Sequence, residues 1–131
     1  MTSMKSTVAK AKDAALRWSL EDAAAVFPAL SELAERHGYR AALMGSVLTR
    51  GIGRDLDVAM FRLKGADHHR AAFISEFGGQ VIRDLQTPGG ADHAHVLKGE
   101  RVYDFSFGIL WAPRLIENWR AIDALREAGE E

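Results

Sequence analysis

The chain has 131 residues, with 18 acidic and 17 basic side chains and no cysteine. A chain of this length is expected to form one domain that buries roughly two thirds of its unfolded surface. The small net charge does not favour a nucleic-acid partner, and the lack of cysteine excludes disulfides and thiolate metal sites. No apolar run is long enough to span a bilayer and the N-terminus lacks a signal peptide's apolar core, so we expect no membrane partner and a cytoplasmic location.

The N-terminal part of the chain is predicted to be helical. Residues 1–18 mix Lys, Ala and Thr with a few apolar side chains, which predicts a loose amphipathic helix or an arm ahead of a single domain at residues 19–131. Ser19 can cap the next helix, and Gly38 can end it. Because Pro28 interrupts this region, it is either one kinked helix or two helices.

Strand and helix patterns alternate along the rest of the chain. Apolar runs bounded by glycine predict strands at residues 39–44, 80–85, 92–97 and 101–107, a further strand that begins at Asp55, and a helix at residues 67–77. Thr87-Pro88-Gly89-Gly90 has the composition of a turn. Pro113 is predicted to open a last helix, whose apolar stripe could pack against a second copy of the chain as a homodimer: Leu115, Trp119, Ile122 and Leu125.

Two carboxylates share one face of the strand that begins at Asp55. Side chains alternate along a strand, so Asp55 and Asp57 lie on the same face, roughly 6–7 Å apart at Cα, and Leu56 points into a core. Burying two unpaired carboxylates side by side would cost several kcal/mol. The pair is therefore predicted to line an open cleft and to bind cations, as the bridging carboxylates of two-metal sites do.

A third acidic residue lies on a later strand. Val102, Asp104 and Ser106 share one face of this strand, and its aromatic residues share the other. Asp104 therefore sits alone among apolar neighbours, where it could complete a metal site. It could instead be an ordinary exposed strand residue or a partner of Arg101.

Two histidines on the strand at residues 92–97 also suggest metal binding. His93 and His95 share a strand face, and Asp92 is adjacent. Zinc sites, however, combine such ligands with further ones at recognisable spacing. No third ligand of that kind follows, so the sequence does not predict a dedicated zinc site.

Three stretches, in this order, resemble a known superfamily: Gly45-Ser46, Asp55-Leu56-Asp57-Val58, and Val102-Tyr103-Asp104-Phe105-Ser106. Over roughly residues 20 to 107 the chain resembles the nucleotidyltransferases typified by DNA polymerase β, particularly their small single-domain and phage-encoded members. The resemblance implies an α/β (α+β) fold with a short mixed sheet, helices packed on one side and an acidic metal cleft on the other.

The resemblance also implies roles for individual residues. Asp55 and Asp57 would bind both divalent ions, and Asp104 would complete the ion that activates the attacking hydroxyl. Magnesium is the expected ion, with manganese as the alternative, because Mg²⁺ is usually bound by a few carboxylates and substrate phosphates. Gly45 and Ser46 would hold the terminal phosphates of the nucleotide.

Two arginines are further candidates for nucleotide binding. Arg50 and Arg54 lie between the Gly-Ser turn and the acidic strand, in a segment with room for one or two helical turns. Their guanidinium groups could contact the triphosphate or pyrophosphate. They could equally be surface partners of nearby acids.

The function implied is transfer of a nucleoside monophosphate from a nucleoside triphosphate such as ATP to a hydroxyl, with release of pyrophosphate. The acceptor, a small molecule or a protein, is not readable from these residues. A second hypothesis is an antitoxin-type or inactive nucleotidyltransferase-like binding protein, which would act on a protein partner such as a small helical toxin-like protein.

Overall fold

The computed structural model of the protein describes residues 4–63, 65–88 and 92–109. Helices in this part of the chain are α1 (Met4–Ala14), α2 (Leu20–Arg36), α3 (Ser46–Arg50) and α4 (Arg70–Phe77). The strands are β1 (Trp18–Ser19), β2 (Tyr39–Met44), β3 (Ile52–Gly53), β4 (Asp55–Arg62), β5 (Gln80–Gln86), β6 (Asp92–Lys98) and β7 (Arg101–Ile109). The predicted helix after Pro113 and the glycines of the predicted turn, Gly89 and Gly90, lie outside the described residues.

A five-stranded mixed sheet forms the centre of the structure. Its strand order is β2-β4-β7-β6-β5. The pairing of β4 with β7 is parallel, and the other three pairings are antiparallel. This arrangement confirms the predicted α/β (α+β) class with a short mixed sheet.

One face of the sheet carries the hydrophobic core. Helices α2 and α4 contribute Phe27 and Phe73 to a buried cluster with Leu56, Val58 and Phe105 of the central strands. Because side chains alternate along a strand, the residues between them point to the opposite face. That opposite face of β4 and β7 carries the acidic residues.

Helix α2 begins where the sequence predicts and runs without a break. Ser19 and Asp22 form a capping box, in which the backbone N–H of Asp22 donates to Ser19 Oγ at 3.1 Å and the backbone N–H of Ser19 donates to Asp22 Oδ2 at 3.2 Å. Pro28 lies inside this single helix, so the alternative of two separate helices is wrong. None of the described helices combines the length and the apolar character that a membrane crossing requires.

Helix α4 begins three residues later than predicted, at Arg70 rather than at Asp67. The backbone before it contacts the end of α2 instead of continuing a helix. The N–H of His69 donates to the carbonyl of His37 at 3.0 Å, and the carbonyl oxygen of Asp67 packs against Gly38. These tertiary contacts override the local helical pattern.

A two-stranded ribbon that the sequence did not predict joins the N-terminal part of the chain to the sheet. Strand β1 pairs with β3, with Trp18 opposite Gly53. Trp18 is fully buried, and its indole N–H donates to the carbonyl of Val102 at 2.9 Å. A buried aromatic anchor with a satisfied N–H holds this ribbon against β7.

Candidate active site

The parallel pairing of β4 and β7 brings the three predicted acidic residues together. In this register Asp57 lies opposite Asp104, and Asp55 lies two residues before Asp57 on the same face of β4. Neighbouring strands are about 4.8 Å apart. Carboxylates separated by about 50 residues in sequence therefore form one acidic cluster, composed of Asp55, Asp57 and Asp104.

The environment of Asp57 favours its protonated form. Burial, followed by the negative charges of Asp55 and Asp104 and a hydrogen bond with Asp104, raises the pKa of Asp57 to about 7. Positive charge placed near a buried carboxyl that lies beside two like charges favours its ionised form. A cation at the site would therefore be bound more tightly as Asp57 loses its proton near neutral pH.

The environment of Asp104, in contrast, favours its ionised form. Burial alone would raise its pKa, but the hydrogen bond from His95 and the nearby charges of His95, His93 and Lys12 outweigh burial and lower the pKa. The Nε2 atom of His95 lies 3.3 Å from Asp104 Oδ2, and His93 Nδ1 lies 3.7 Å from Asp104 Oδ1. Asp104 is thus the ionised member of the Asp57–Asp104 pair.

Gly45 places the backbone directly against the acidic cluster. Its φ of 81° lies in the left-handed region, and a Cβ at this position would lie 2.0 Å from Asp57 Oδ2. Only glycine provides both this conformation and this close approach. The predicted Gly-Ser turn therefore lies beside the carboxylates.

A cavity of about 360 Å³ opens next to the cluster and is rich in arginine. It is lined by Arg17, Ser46, Arg50, Ile52, Gly53, Arg54 and Asp55. Three of the four residues predicted to bind nucleotide line it, and the fourth, Gly45, precedes Ser46. Arg17 was missed, because only the unpredicted ribbon brings its segment to this place.

The acidic face is less open than the sequence predicts, because α1 reaches it. Lys12 Nζ lies 2.7 Å from Asp55 Oδ2. Arg54 forms an ion pair with Asp13 and also donates to the carbonyl of Ala9 at 3.4 Å. Lys12 was missed as a site residue, since no local pattern in the sequence indicates where α1 packs.

His95 is a further neighbour that the sequence analysis did not connect to the acidic residues. It lies opposite Asp104 in the β6–β7 hairpin. The hairpin turn lies at Gly99 and Glu100, and both residues have the positive φ of a tight two-residue turn. Counting pairs back from that turn would have placed His95 beside Asp104.

The residues present fit a divalent cation. One ligand atom from each of Asp55, His95 and Asp104 lies within 4.8 Å of the other two. Asp57 is not in this trio, but it borders the trio through its hydrogen bond with Asp104. Carboxylates and an imidazole form a donor set that divalent metals use.

Comparison with solved structures identifies the fold. The chain is similar to polymerase β of Leishmania infantum, determined as a ternary P/T complex, with a TM-score of 0.55 and 10% sequence identity. The likeness covers 82% of this chain and 49% of that one. The chain has a polymerase β-like nucleotidyltransferase fold. This confirms the fold that the sequence resemblance implies. No family model and no curated protein matches the sequence.

The chain thus spans about half the length of that polymerase. Within the nucleotidyltransferase fold, the described residues place three carboxylates, a Gly-Ser turn and an arginine-rich cavity side by side. The predicted subgroup of small single-domain members stays a prediction.

The raised pKa of Asp57 makes the stability of the metal-free protein depend on pH. The folded state holds a proton between the ordinary pKa of 3.8 and about 7, so the free energy of unfolding falls as pH rises through this window. The asparagine of Asp57→Asn carries no charge at any pH, so the variant does not lose stability as pH rises through this window. We expect the variant to be more stable than wild type by roughly 1–3 kcal/mol at about pH 8, with the difference shrinking towards pH 4.

Urea unfolding in the presence of a chelator measures this effect. The control is Asp67→Asn, which removes an exposed carboxylate away from the acidic cluster. An Asp57→Asn protein that is less stable than wild type at high pH would contradict the electrostatic interpretation.

Proposed function

We propose that the protein is a metal-dependent nucleotidyltransferase, which transfers a nucleoside monophosphate from a nucleoside triphosphate to a hydroxyl and releases pyrophosphate. One observation is central to this proposal: the acidic cluster borders the arginine-rich cavity, and Asp55 belongs to both. A metal–triphosphate complex has the complementary charges: its cations would face the carboxylates, and its phosphates would face the arginines. The polymerase β-like fold supports the same reaction class.

The arginine-rich cavity is the proposed binding site for the triphosphate tail. Arg17, Arg50 and Arg54 supply guanidinium donors, which suit phosphate oxygens, and Ser46 adds a hydroxyl. Gly45 lets the chain turn tightly between this cavity and Asp57. The α-phosphate would then lie at the border with Asp55.

Asp55, Asp57 and Asp104 are the proposed ligands of the divalent ions, with Mg²⁺ or Mn²⁺ as the cofactor. When bound, the ions would neutralise the carboxylates and stabilise the charge that develops on the phosphate oxygens. The role of the chain is to hold these three side chains on adjacent strands of a rigid sheet. Such positioning is the main contribution of a protein to phosphoryl transfer.

The proposed reaction is an in-line displacement. The acceptor oxygen forms a bond to the α-phosphorus, and the bond from that phosphorus to the oxygen bridging to the β-phosphate breaks. Pyrophosphate leaves with the bond electrons, and the hydroxyl proton passes to the carboxylate cluster. The acceptor class, a small molecule or a protein, is left open.

A second candidate function is a nucleotidyltransferase-like protein that binds a partner protein without turnover, as an antitoxin-type protein would. The observation that favours it is the position of α1. Lys12 contacts Asp55, and Asp13 contacts Arg54, so the same helix engages a proposed metal ligand and a proposed phosphate ligand. If α1 stayed in place, it would compete with the metal ion for Asp55 and with the triphosphate for Arg54.

The two functions differ in a direct assay of turnover. Wild-type protein, incubated with labelled nucleoside triphosphates, Mg²⁺ or Mn²⁺ and a panel of hydroxyl acceptors, should release pyrophosphate. Asp57→Asn should reduce the rate by roughly a hundredfold or more, because it removes an anionic metal ligand. Since the same variant is expected to be stable, its inactivity would not reflect unfolding. Turnover like that of wild type would contradict the mechanism.

Arg50 tests the assignment of the cavity to phosphate. We expect Arg50→Ala to weaken binding of a nucleoside triphosphate about tenfold, since a charge-assisted hydrogen bond is lost, and to leave binding of the free nucleoside unchanged. Calorimetric titrations with both ligands measure this. The matched control is Arg62→Ala, because Arg62 lies at the end of β4 opposite to Asp55. An equal loss for nucleoside and triphosphate would argue against a phosphate contact.

Lys12 tests whether α1 competes with the cation. Lys12→Ala removes the ammonium group at Asp55, so we expect Mn²⁺ affinity to rise several-fold in a direct titration, as a competing positive charge is lost. Lys10→Ala removes the same charge from an exposed position on the same helix and is the control. Unchanged affinity in Lys12→Ala would show that the ion pair does not oppose metal binding.

A further inference from the structure

His95 faces the acidic cluster from the neighbouring strand. Directly opposite residues in an antiparallel pair share one face of the sheet, and His95 lies opposite Asp104. Its side chain is buried, with 8% of the residue exposed, and its Nε2 atom lies 3.3 Å from Asp104 Oδ2. The imidazole therefore belongs to the interior of the site rather than to its rim.

Two buried atoms of this pair lack hydrogen-bond partners among the residues that the structure describes. They are His95 Nδ1 and Asp104 Oδ1. Buried polar atoms are nearly always satisfied in folded proteins, and an ordered water or an ion commonly satisfies those that the chain itself does not. An imidazole nitrogen and a carboxylate oxygen are both atoms that bind cations.

The spacing of the donors agrees with a single ion. Ligand atoms of Asp55, His95 and Asp104 lie within 4.8 Å of one another. Two donors on opposite sides of one ion, each about 2.1 Å from it, are about 4.2 Å apart. Small rotations of the side chains would bring all three onto one ion.

We propose that His95 is a direct ligand of the cation held by Asp55 and Asp104, and that its nitrogen makes this site favour first-row transition ions such as Mn²⁺ over Mg²⁺. Mg²⁺ strongly prefers oxygen ligands, whereas imidazole suits transition metals. A site of carboxylates alone would lack this discrimination. The inference rests on the cation site of the proposed function and adds a ligand and a metal class to it.

Pulsed electron paramagnetic resonance on the Mn²⁺-loaded protein tests ligation directly. A coordinated imidazole nitrogen modulates the Mn²⁺ electron-spin echo, and replacing ¹⁴N by ¹⁵N in all five histidines changes the modulation without altering any side chain. We expect a histidine nitrogen coupling in the wild-type protein. Bound Mn²⁺ with no such coupling would overturn the role of His95 and leave the proposed function intact.

Variants identify which histidine is responsible. His95→Gln should remove the nitrogen coupling, lower Mn²⁺ affinity about tenfold and leave Mg²⁺ affinity within about twofold, because only the nitrogen donor is lost. His93→Gln tests the other histidine near Asp104, and His69→Gln, exposed before α4, is the distant control. Loss of the coupling in His93→Gln with retention in His95→Gln would overturn the assignment.

The outcomes separate the inference from the function on which it rests. Wild-type protein that binds neither Mn²⁺ nor Mg²⁺ would overturn both. Equal affinity for the two ions, with or without turnover, would overturn the proposed metal preference alone. Circular dichroism of each variant confirms that a change in binding does not come from unfolding.

Discussion

The parallel pairing of β4 with β7 is the constraint on which the site depends. It places Asp57 opposite Asp104, and strand alternation adds Asp55 on the same face. Burial, followed by the like charges of Asp55 and Asp104, raises the pKa of Asp57 to about 7. A fold that relied on these residues for stability alone would gain more from apolar side chains. The arrangement is instead suited to holding positive charge from outside the sheet.

The small net charge of the chain conceals a strong local separation of charge. Carboxylates gather at the β4–β7 pair, and arginines gather around the adjoining cavity, with Ser46 and Asp55 at the border. Arg50 and Arg17 are exposed around the cavity, whereas Arg54 pairs with Asp13 of α1. The proposed ligand, a triphosphate with its cations, has the complementary distribution of charge. Overall composition gave no hint of it, because the two groups cancel in the sum.

Local patterns predicted the five strands of the main sheet and the acidic residues, whereas contacts between distant elements decided the rest. Alternation alone placed Asp55, Asp57 and Asp104 away from the core, as the structure shows, and Ser19 marked the start of α2. The start of α4 was predicted too early because contacts with the end of α2 hold the preceding residues out of the helix. Lys12 and Arg17 approach the site through the packing of α1 and the β1–β3 ribbon, for which no periodic signal exists. His95 differs from Lys12 and Arg17, because the pairing of strands across the hairpin turn places it opposite Asp104.

The contact between Lys12 and Asp55 shows how incompletely one ammonium group satisfies this cluster. Its charge lowers the pKa of Asp57, yet burial and the two neighbouring carboxylates still keep that pKa at about 7. A single positive charge on a flexible side chain thus leaves the acidic cluster short of compensation. A divalent ion brings twice the charge and several directed bonds, and it can engage carboxylates from both strands at once. Under the proposed function, a metal ion would supply the missing compensation, and Lys12 of α1 would be its competitor at Asp55.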